Sequence, residues 1–151
     1  MNDTLALCSE RFKAHGVNLQ VEDLREDISF AGRPVQISQV LLNLLNNAHD
    51  AIEALAEKWI KVSFKNLEDR IRICVIDSGS GIPENVREKM MQPFFTTKAI
   101  GKGTGLGLSV SKGIIDEHQG VLTVDHTCPN TCFVIELSKD THSTPHSPMA
   151  A

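Results

Sequence analysis

Gly101-Lys-Gly-Thr-Gly-Leu-Gly-Leu108 alternates glycine with other residues and leads into an apolar segment, Leu106 to His118, with helical spacing. Glycine has no Cβ, so the backbone can turn its amide N–H groups outward. Successive outward amides make an anion-binding concavity, and the start of a following helix adds its positive dipole end. The run reads as a cradle for a polyphosphate. A flexible glycine loop is the alternative, and three further stretches decide against it.

The first lies upstream. Pro34 to about Lys58 predicts the longest helix, with Ile37, Leu41, Leu44, Ala48, Ile52 and Leu55 on one apolar face. The opposite face carries Gln36, Gln39, Asn43, Asn46, Asn47 and Asp50. Asparagine is a poor helix former, so its concentration there points to ligand contacts rather than to helicity. The alternative is an ordinary wet face. The second stretch is Arg70 to Asp77, a strand with Ile71, Ile73 and Val75 on one face. By the same alternation Asp77 falls on that apolar face, where a carboxylate needs donors. It either caps the turn Ser78-Gly79-Ser80-Gly81 or awaits a ligand's N–H. The third is Gln92 to Thr104, aperiodic, with Pro93, Phe94, Phe95 and Lys98, and long enough to act as a lid.

The remaining segments complete the order. Residues 3 to 15 predict a short helix ended by Gly16. Val17 to Glu22 and Asp27 to Ala31 predict short strands, and Ile60 to Lys65 a strand with one buried face. Pro83 to Met91 predicts a short helix, and Gly120 ends the helix from Leu106. Val121 to Asp125 and Cys132 to Leu137 predict two strands around Pro129-Asn130. Residues 139–151, rich in Ser, Thr, Pro and His, predict a disordered tail after a body of 1–138. Strands with one wet face and helices on the other give an α+β fold. It is a two-layer sandwich with a mixed, mostly antiparallel sheet covered by helices on one face.

Composition bounds the function. A chain of 151 residues, 41% hydrophobic and 23% charged, builds one core. A net charge of −4 offers no basic footprint, so nucleic acid is not an expected partner. No run is apolar and long enough to span a bilayer and no signal peptide opens the chain, so a cytoplasmic segment is expected, in a parent that can be membrane-anchored. Cys8, Cys74, Cys128 and Cys132 lack metal-ligand spacing. Cys128 and Cys132 flank a turn and could approach each other, but free thiols are the expected state.

In this order the four stretches resemble the nucleotide-binding boxes of the GHKL ATPase superfamily. They are most similar to those of the catalytic, ATP-binding domain of bacterial sensor histidine kinases. The N box is Gln39-Val-Leu-Leu-Asn-Leu-Leu-Asn-Asn-Ala-His-Asp-Ala51. The G1 box is Asp77-Ser-Gly-Ser-Gly-Ile-Pro83, the F box Pro93-Phe-Phe-Thr-Thr-Lys98, and the G2 box Gly101 to Leu108. The resemblance covers residues 3 to 138. It implies a Bergerat-type ATP-binding fold, ATP and Mg²⁺ as cofactors, and γ-phosphoryl transfer to a histidine. The glycine run is not a Walker loop, since no Gly-Lys-Ser/Thr follows at the required spacing.

The resemblance also assigns roles. Asn47 is the implied Mg²⁺ ligand, with Asn43 and Asp50 on the same side of the helix. Asn43, Asn47 and Lys98 form the implied catalytic set. Asp77 is the implied acceptor for the adenine amino group, with Gly79, Gly81 and Ile82 at the base and Thr131 nearby. Lys98 and the run Gly101, Lys102, Gly103, Thr104, Gly105, Leu106, Gly107 and Leu108 are implied at the phosphates. Two departures bear on function. Hydrolytic relatives carry Glu at the place of Asn43, where a carboxylate can act as general base. Asn43 cannot, which points away from hydrolysis. Of His15, His49, His118, His126, His142 and His146, none has the context of a phosphoacceptor. The resemblance therefore implies a partner, the dimerisation and phosphoacceptor domain of the same or a parent kinase, and indirectly a response regulator. A free-standing ATPase or serine kinase, or a non-catalytic docking module, are the competing expectations. The F and N boxes most resemble the nitrogen-regulation-like branch of sensor kinases.

Overall fold

The computed structural model describes residues 2–22, 32–92 and 107–139. The elements in order are α1 (Asn2–Ala14), β1 (Asn18–Val21), α2 (Pro34–Ile52), β2 (Trp59–Asn66), β3 (Arg70–Asp77), α3 (Glu84–Arg87), α4 (Gly107–Glu117), β4 (Val121–Val124) and β5 (Cys132–Ser138). The expected strand at Asp27 to Ala31, most of the lid, the F box, Gly101 to Leu106 of the G2 box and residues 140–151 lie outside the described residues.

The sheet has the order β1-β2-β3-β5-β4. β1 runs parallel to β2, and every other pairing is antiparallel. This is the expected mixed, mostly antiparallel sheet. Alternation along β3 buries Ile71, Ile73, Val75 and Asp77. Their register partners Leu137, Ile135 and Phe133 on β5, and Ile60 and Val62 on β2, are buried with them. Against this face sit Ile37, Val40, Leu41, Leu44, Leu45, Ala48 and Ile52 of α2, Phe12 of α1 and Ile115 of α4. The opposite face carries Lys61, Ser63, Arg72, Cys74 and Glu136, and no helix covers it among the described residues.

Two expected boundaries move. α2 ends at Ile52, not near Lys58, and Leu55 lies exposed outside it. Glu53 to Lys58 favours helix locally, but tertiary pairing overrides that preference. Lys58 accepts from the Asn18 amide at 3.0 Å, and the Ser78 hydroxyl donates to the Glu57 carbonyl at 2.9 Å. These bonds hold the chain extended where β2 begins. The helix expected over Pro83 to Met91 is one turn, Glu84–Arg87, followed by further turns. Buried Met90 pins that segment to the core.

α4 is fastened at both ends. Gln119 adopts φ 57°, and the Gly120 amide donates back to the Ile115 carbonyl at 2.9 Å, a left-handed helix stop. The left-handed residue is thus Gln119, not the glycine. Gly120 is required for space, since a Cβ there would sit 2.5 Å from the Glu136 carbonyl oxygen. His118 Nδ1 meets the Ile114 carbonyl at 2.7 Å, which leaves Nε2 to accept from the Arg33 amide at 3.0 Å. The end of α4 is thereby tied to the start of α2.

Candidate nucleotide site

β3 delivers Asp77 to the end of the buried row, where it is 2% exposed. The chain then turns sharply, and the Gly79 amide donates to Asp77 Oδ1 at 2.7 Å. Strand pairing carries the neighbourhood further. The Asp77 amide donates to the Thr131 carbonyl at 3.0 Å, and the Thr131 amide donates to the Gly79 carbonyl at 3.3 Å. The Thr131 hydroxyl accepts from the Gly81 amide at 3.1 Å, and Asn130 Nδ2 donates to the Gly79 carbonyl at 3.2 Å. Five residues from two distant segments thus form one hydrogen-bonded knot.

Burial raises Asp77 from the usual 3.8 to about 6, against the opposing pull of the Gly79 amide and the Thr131 hydroxyl. The turn-capping reading of Asp77 is realised. It caps its turn with one oxygen, and it is also a buried, incompletely compensated carboxylate of the kind that marks ligand sites. A Cβ at Gly79 would lie 2.7 Å from Asp77 Oδ1 and 3.0 Å from Thr131 Oγ1. Gly79 thus packs directly on the Asp77 carboxylate and the Thr131 hydroxyl, with no room for a side chain. A cleft of about 320 Å³ adjoins these residues, between Gly81, Ile82 and Pro83 on one wall and Val124, His126 and Asn130 on the other. Asp77 is not part of that cleft's lining.

Ser78 faces away from Asp77, toward the start of β2. Its hydroxyl accepts from the Trp59 amide at 3.3 Å while donating to Glu57. Ser78 therefore braces the start of β2.

The asparagine face of α2 divides. Asn46 accepts from Arg11 Nη2 of α1 at 2.8 Å, so this asparagine joins two helices. Asn43 turns toward α4: its Nδ2 donates to Ser111 Oγ at 3.2 Å and approaches the Gly107 carbonyl at 3.5 Å. Ser111 is fully buried and donates in turn to Gly107 at 2.8 Å. Asn47 is half-buried and Asp50 exposed on the same helix. His49, inside the N box, stacks on Phe12 with ring centroids 5.0 Å apart, in keeping with a packing role. α4 begins at Gly107 and has no acidic residue in its first turn, so its N-terminal dipole is not neutralised there.

Asp77, Gly79, Gly81 and Thr131 are brought together, and Asn43 meets Gly107 at the start of α4. Lys98, Gly101, Lys102, Gly103, Thr104, Gly105 and Leu106 lie outside the described residues. Sequence reasoning missed Ser111 and Asn130 as organisers of the site. Ser111 carried a signal, being a hydroxyl in the apolar stripe of Leu108 and Ile115. Asn130 carried none, since asparagine is ordinary in a turn.

A family model for histidine kinase-, DNA gyrase B- and HSP90-like ATPases matches residues 32–141. The chain is 34% identical over 138 residues to the two-component sensor PprA of Pseudomonas aeruginosa, covering 88% of this chain and 15% of that protein. It is 34% identical over 141 residues to sporulation kinase A of Bacillus subtilis, covering 92% of this chain and 22% of that protein. The chain thus spans under a quarter of the length of these relatives. The nucleotide-free catalytic domain of histidine kinase ThkA superposes with a TM-score of 0.78 at 33% identity, covering 92% of each chain. The chain belongs to the family of histidine kinase-, DNA gyrase B- and HSP90-like ATPases, as a catalytic domain of the sensor histidine kinase type.

Proposed function

We propose that this domain holds Mg-ATP and presents its γ-phosphoryl group to a histidine on a separate dimerisation domain of the parent kinase. The observation that carries the reading is Asp77, a buried carboxylate tied through Gly79 and Thr131 to the wall of the adjoining cleft. Adenine offers an amino donor to that carboxylate, whereas guanine would set a carbonyl against it, an unpaired-polar penalty of about 1–3 kcal/mol.

The other assignments follow the same logic. Gly81, Ile82 and Thr131 border the base. The amides from Gly101 to Leu108, together with Lys98 and Lys102, take the phosphates at the start of α4. Asn47 offers one amide oxygen to Mg²⁺. Among the described residues no trio of His, Cys, Asp or Glu is grouped to hold a metal. A single protein oxygen completed by phosphates and water suits Mg²⁺, which gives up its hydration reluctantly. Asn43 helps hold the first turn of α4 against α2, and Asp50 lies near the metal. The bound Mg-nucleotide supplies the phosphoryl group; the chain supplies position and charge neutralisation.

Asn43 provides no carboxylate to activate water, so transfer to an imidazole, already nucleophilic when neutral, is favoured over hydrolysis. The partner is a helical hairpin bearing that histidine, with a response regulator downstream. The same fold at 32% identity occurs in ThkA in complex with the response regulator TrrA. No helix among the described residues is long and apolar enough to cross a membrane. The folded domain is proposed to end near residue 138. Lys139 still bonds the turn between β2 and β3, through its amide to Asp69 and its Nζ to Glu68.

The test supplies γ-labelled ATP and a histidine-bearing hairpin in trans. Acid-labile, base-stable label on the hairpin, with negligible turnover by the chain alone, supports the reading. Sustained hydrolysis without the hairpin contradicts it.

A further inference from the structure

Three of the four cysteines, Cys74, Cys128 and Cys132, lie near one another beside the nucleotide site. Cys74 on β3 and Cys132 on β5 both point to the open face of the sheet. The register sets Cys74 opposite Val134 and Cys132 opposite Ile76, so the two thiols are diagonal neighbours on adjacent strands. They interact side chain to side chain, and both are free. Cys128 and Asp125 lie close enough to act on Cys132 electrostatically.

The pair is asymmetric. Cys74 is partly exposed, with the Cys132 and Ser63 side chains beside it and the Arg72 guanidinium in its field. These partners favour its thiolate and pull its pKa below the ordinary thiol value, although burial and Asp125 oppose them. Cys132 is 3% exposed, and its neighbour and its burial push it upward. The first proton of the pair leaves easily and the second with difficulty. An accessible thiolate backed by a buried thiol is the arrangement of an attacking and a resolving cysteine.

We propose that Cys74 and Cys132 form an oxidation site on the open face of the sheet, converted by a hydroperoxide to a disulfide between β3 and β5. In the first step the Cys74 thiolate attacks the distal peroxide oxygen. The O–O bond breaks, an alcohol or water leaves with the proton, and Cys74 becomes a sulfenic acid. In the second step Cys132 sulfur attacks Cys74 sulfur, and the hydroxyl departs as water with the Cys132 proton. Two electrons pass from sulfur to the peroxide.

Diagonal cross-strand Cα atoms lie about 7–8 Å apart, slightly beyond the usual reach of a disulfide. Closing the bridge therefore draws β3 and β5 together, and the resulting strain makes it readily reducible. Cys132 directly follows Thr131, and Asp77 lies three residues beyond Cys74. Closure disturbs the Thr131, Gly81 and Asp77 contacts, a consequence that rests on the nucleotide reading above.

The experiment treats the full chain with hydrogen peroxide, blocks remaining thiols, and maps cross-linked peptides by mass spectrometry. The expected product has lost two hydrogens, joins the Cys74 and Cys132 peptides, and reverts with dithiothreitol. Cys74→Ser abolishes the link, and Cys128→Ser leaves it intact. A bridge from Cys128 to either partner, or over-oxidation of Cys74 with no link in a chain that is folded by circular dichroism, overturns the proposal. ADP is then titrated into the oxidised and the re-reduced chain. Several-fold weaker binding after oxidation, restored by reduction, supports the coupling; an unchanged affinity overturns the coupling. Absence of ADP binding by the reduced chain would instead overturn the nucleotide reading, since the cross-link is scored without nucleotide.

Discussion

Asp77 is placed by strand alternation at the end of a buried row and is held there by the amide of the glycine two residues on. Replacing it by Asn swaps an acceptor for a group that also donates. ATP affinity should fall about 10- to 100-fold in a calorimetric titration, matching loss of a hydrogen bond to a charged group. The same variant should be more stable without nucleotide. The folded pKa of about 6 lies above the ordinary 3.8. Between these values the native state binds more protons than the unfolded chain, so stability falls as pH rises through that window. Near pH 7 the ionised, buried carboxylate costs about 3 kcal/mol, and Asp77→Asn should raise the melting temperature by roughly 6–12 °C there but little at pH 4. Affinity moves the other way with pH. Below about pH 6 the wild type should lose ATP affinity close to tenfold per unit, relative to the variant, because the acceptor is protonated. A parallel pH dependence in both proteins would count against Asp77 as the acceptor. Gly79→Ala crowds the same carboxylate and Thr131, so binding should be lost with a stability cost of about 1–3 kcal/mol, read by urea unfolding.

At the level of elements, the pairing of β3 with β5 joins the two halves of the site, since Asp77 and Thr131 meet across it. Gly120, at the turn from α4 into β4, is a purely architectural counterpart to Gly79. Gly120→Ala would press on the Glu136 carbonyl, and should lower stability by about 1–3 kcal/mol while leaving nucleotide selectivity in the folded fraction unchanged. On the open face, Arg72 places two nitrogens on Glu136 Oε1 at 3.1 and 2.9 Å, and Arg70 reaches Oε2 at 3.4 Å. These groups are partly exposed, so Glu136→Gln should cost under about 1 kcal/mol in the same unfolding experiment. Strands β2 and β3 were legible from alternation and β5 from its apolar run beside the Pro129-Asn130 turn, each within one residue at each end. The tail of α2 was not. Glu53 to Lys58 has helical composition, and only the contacts of Lys58 with Asn18 and of Glu57 with Ser78 forbid it. Such bonds join residues far apart in sequence and leave no local pattern.

For the whole molecule, the two-layer arrangement followed from counting wet and dry faces, but the strand order did not. That β1 joins the sheet parallel to β2, and that β5 lies between β3 and β4, depend on packing over α2. The family was legible because its motifs are rare combinations. These are an acid ending an apolar strand row, asparagines on a helix, and alternating glycines before a second helix. What binds those pieces to each other was less legible. Ser111, Asn130 and His118 look unremarkable in sequence, yet each closes a contact between segments. The central claim is that these segments converge on one adenine-selective pocket. Titration calorimetry of the chain with Mg-ATP, ADP and Mg-GTP, with Asp77→Asn in parallel, tests it most directly. Binding of both adenine nucleotides, at least about tenfold tighter than GTP and abolished or levelled in the variant, is the expected result. Equal binding of ATP and GTP by the wild type, or unaltered selectivity in Asp77→Asn, would contradict it.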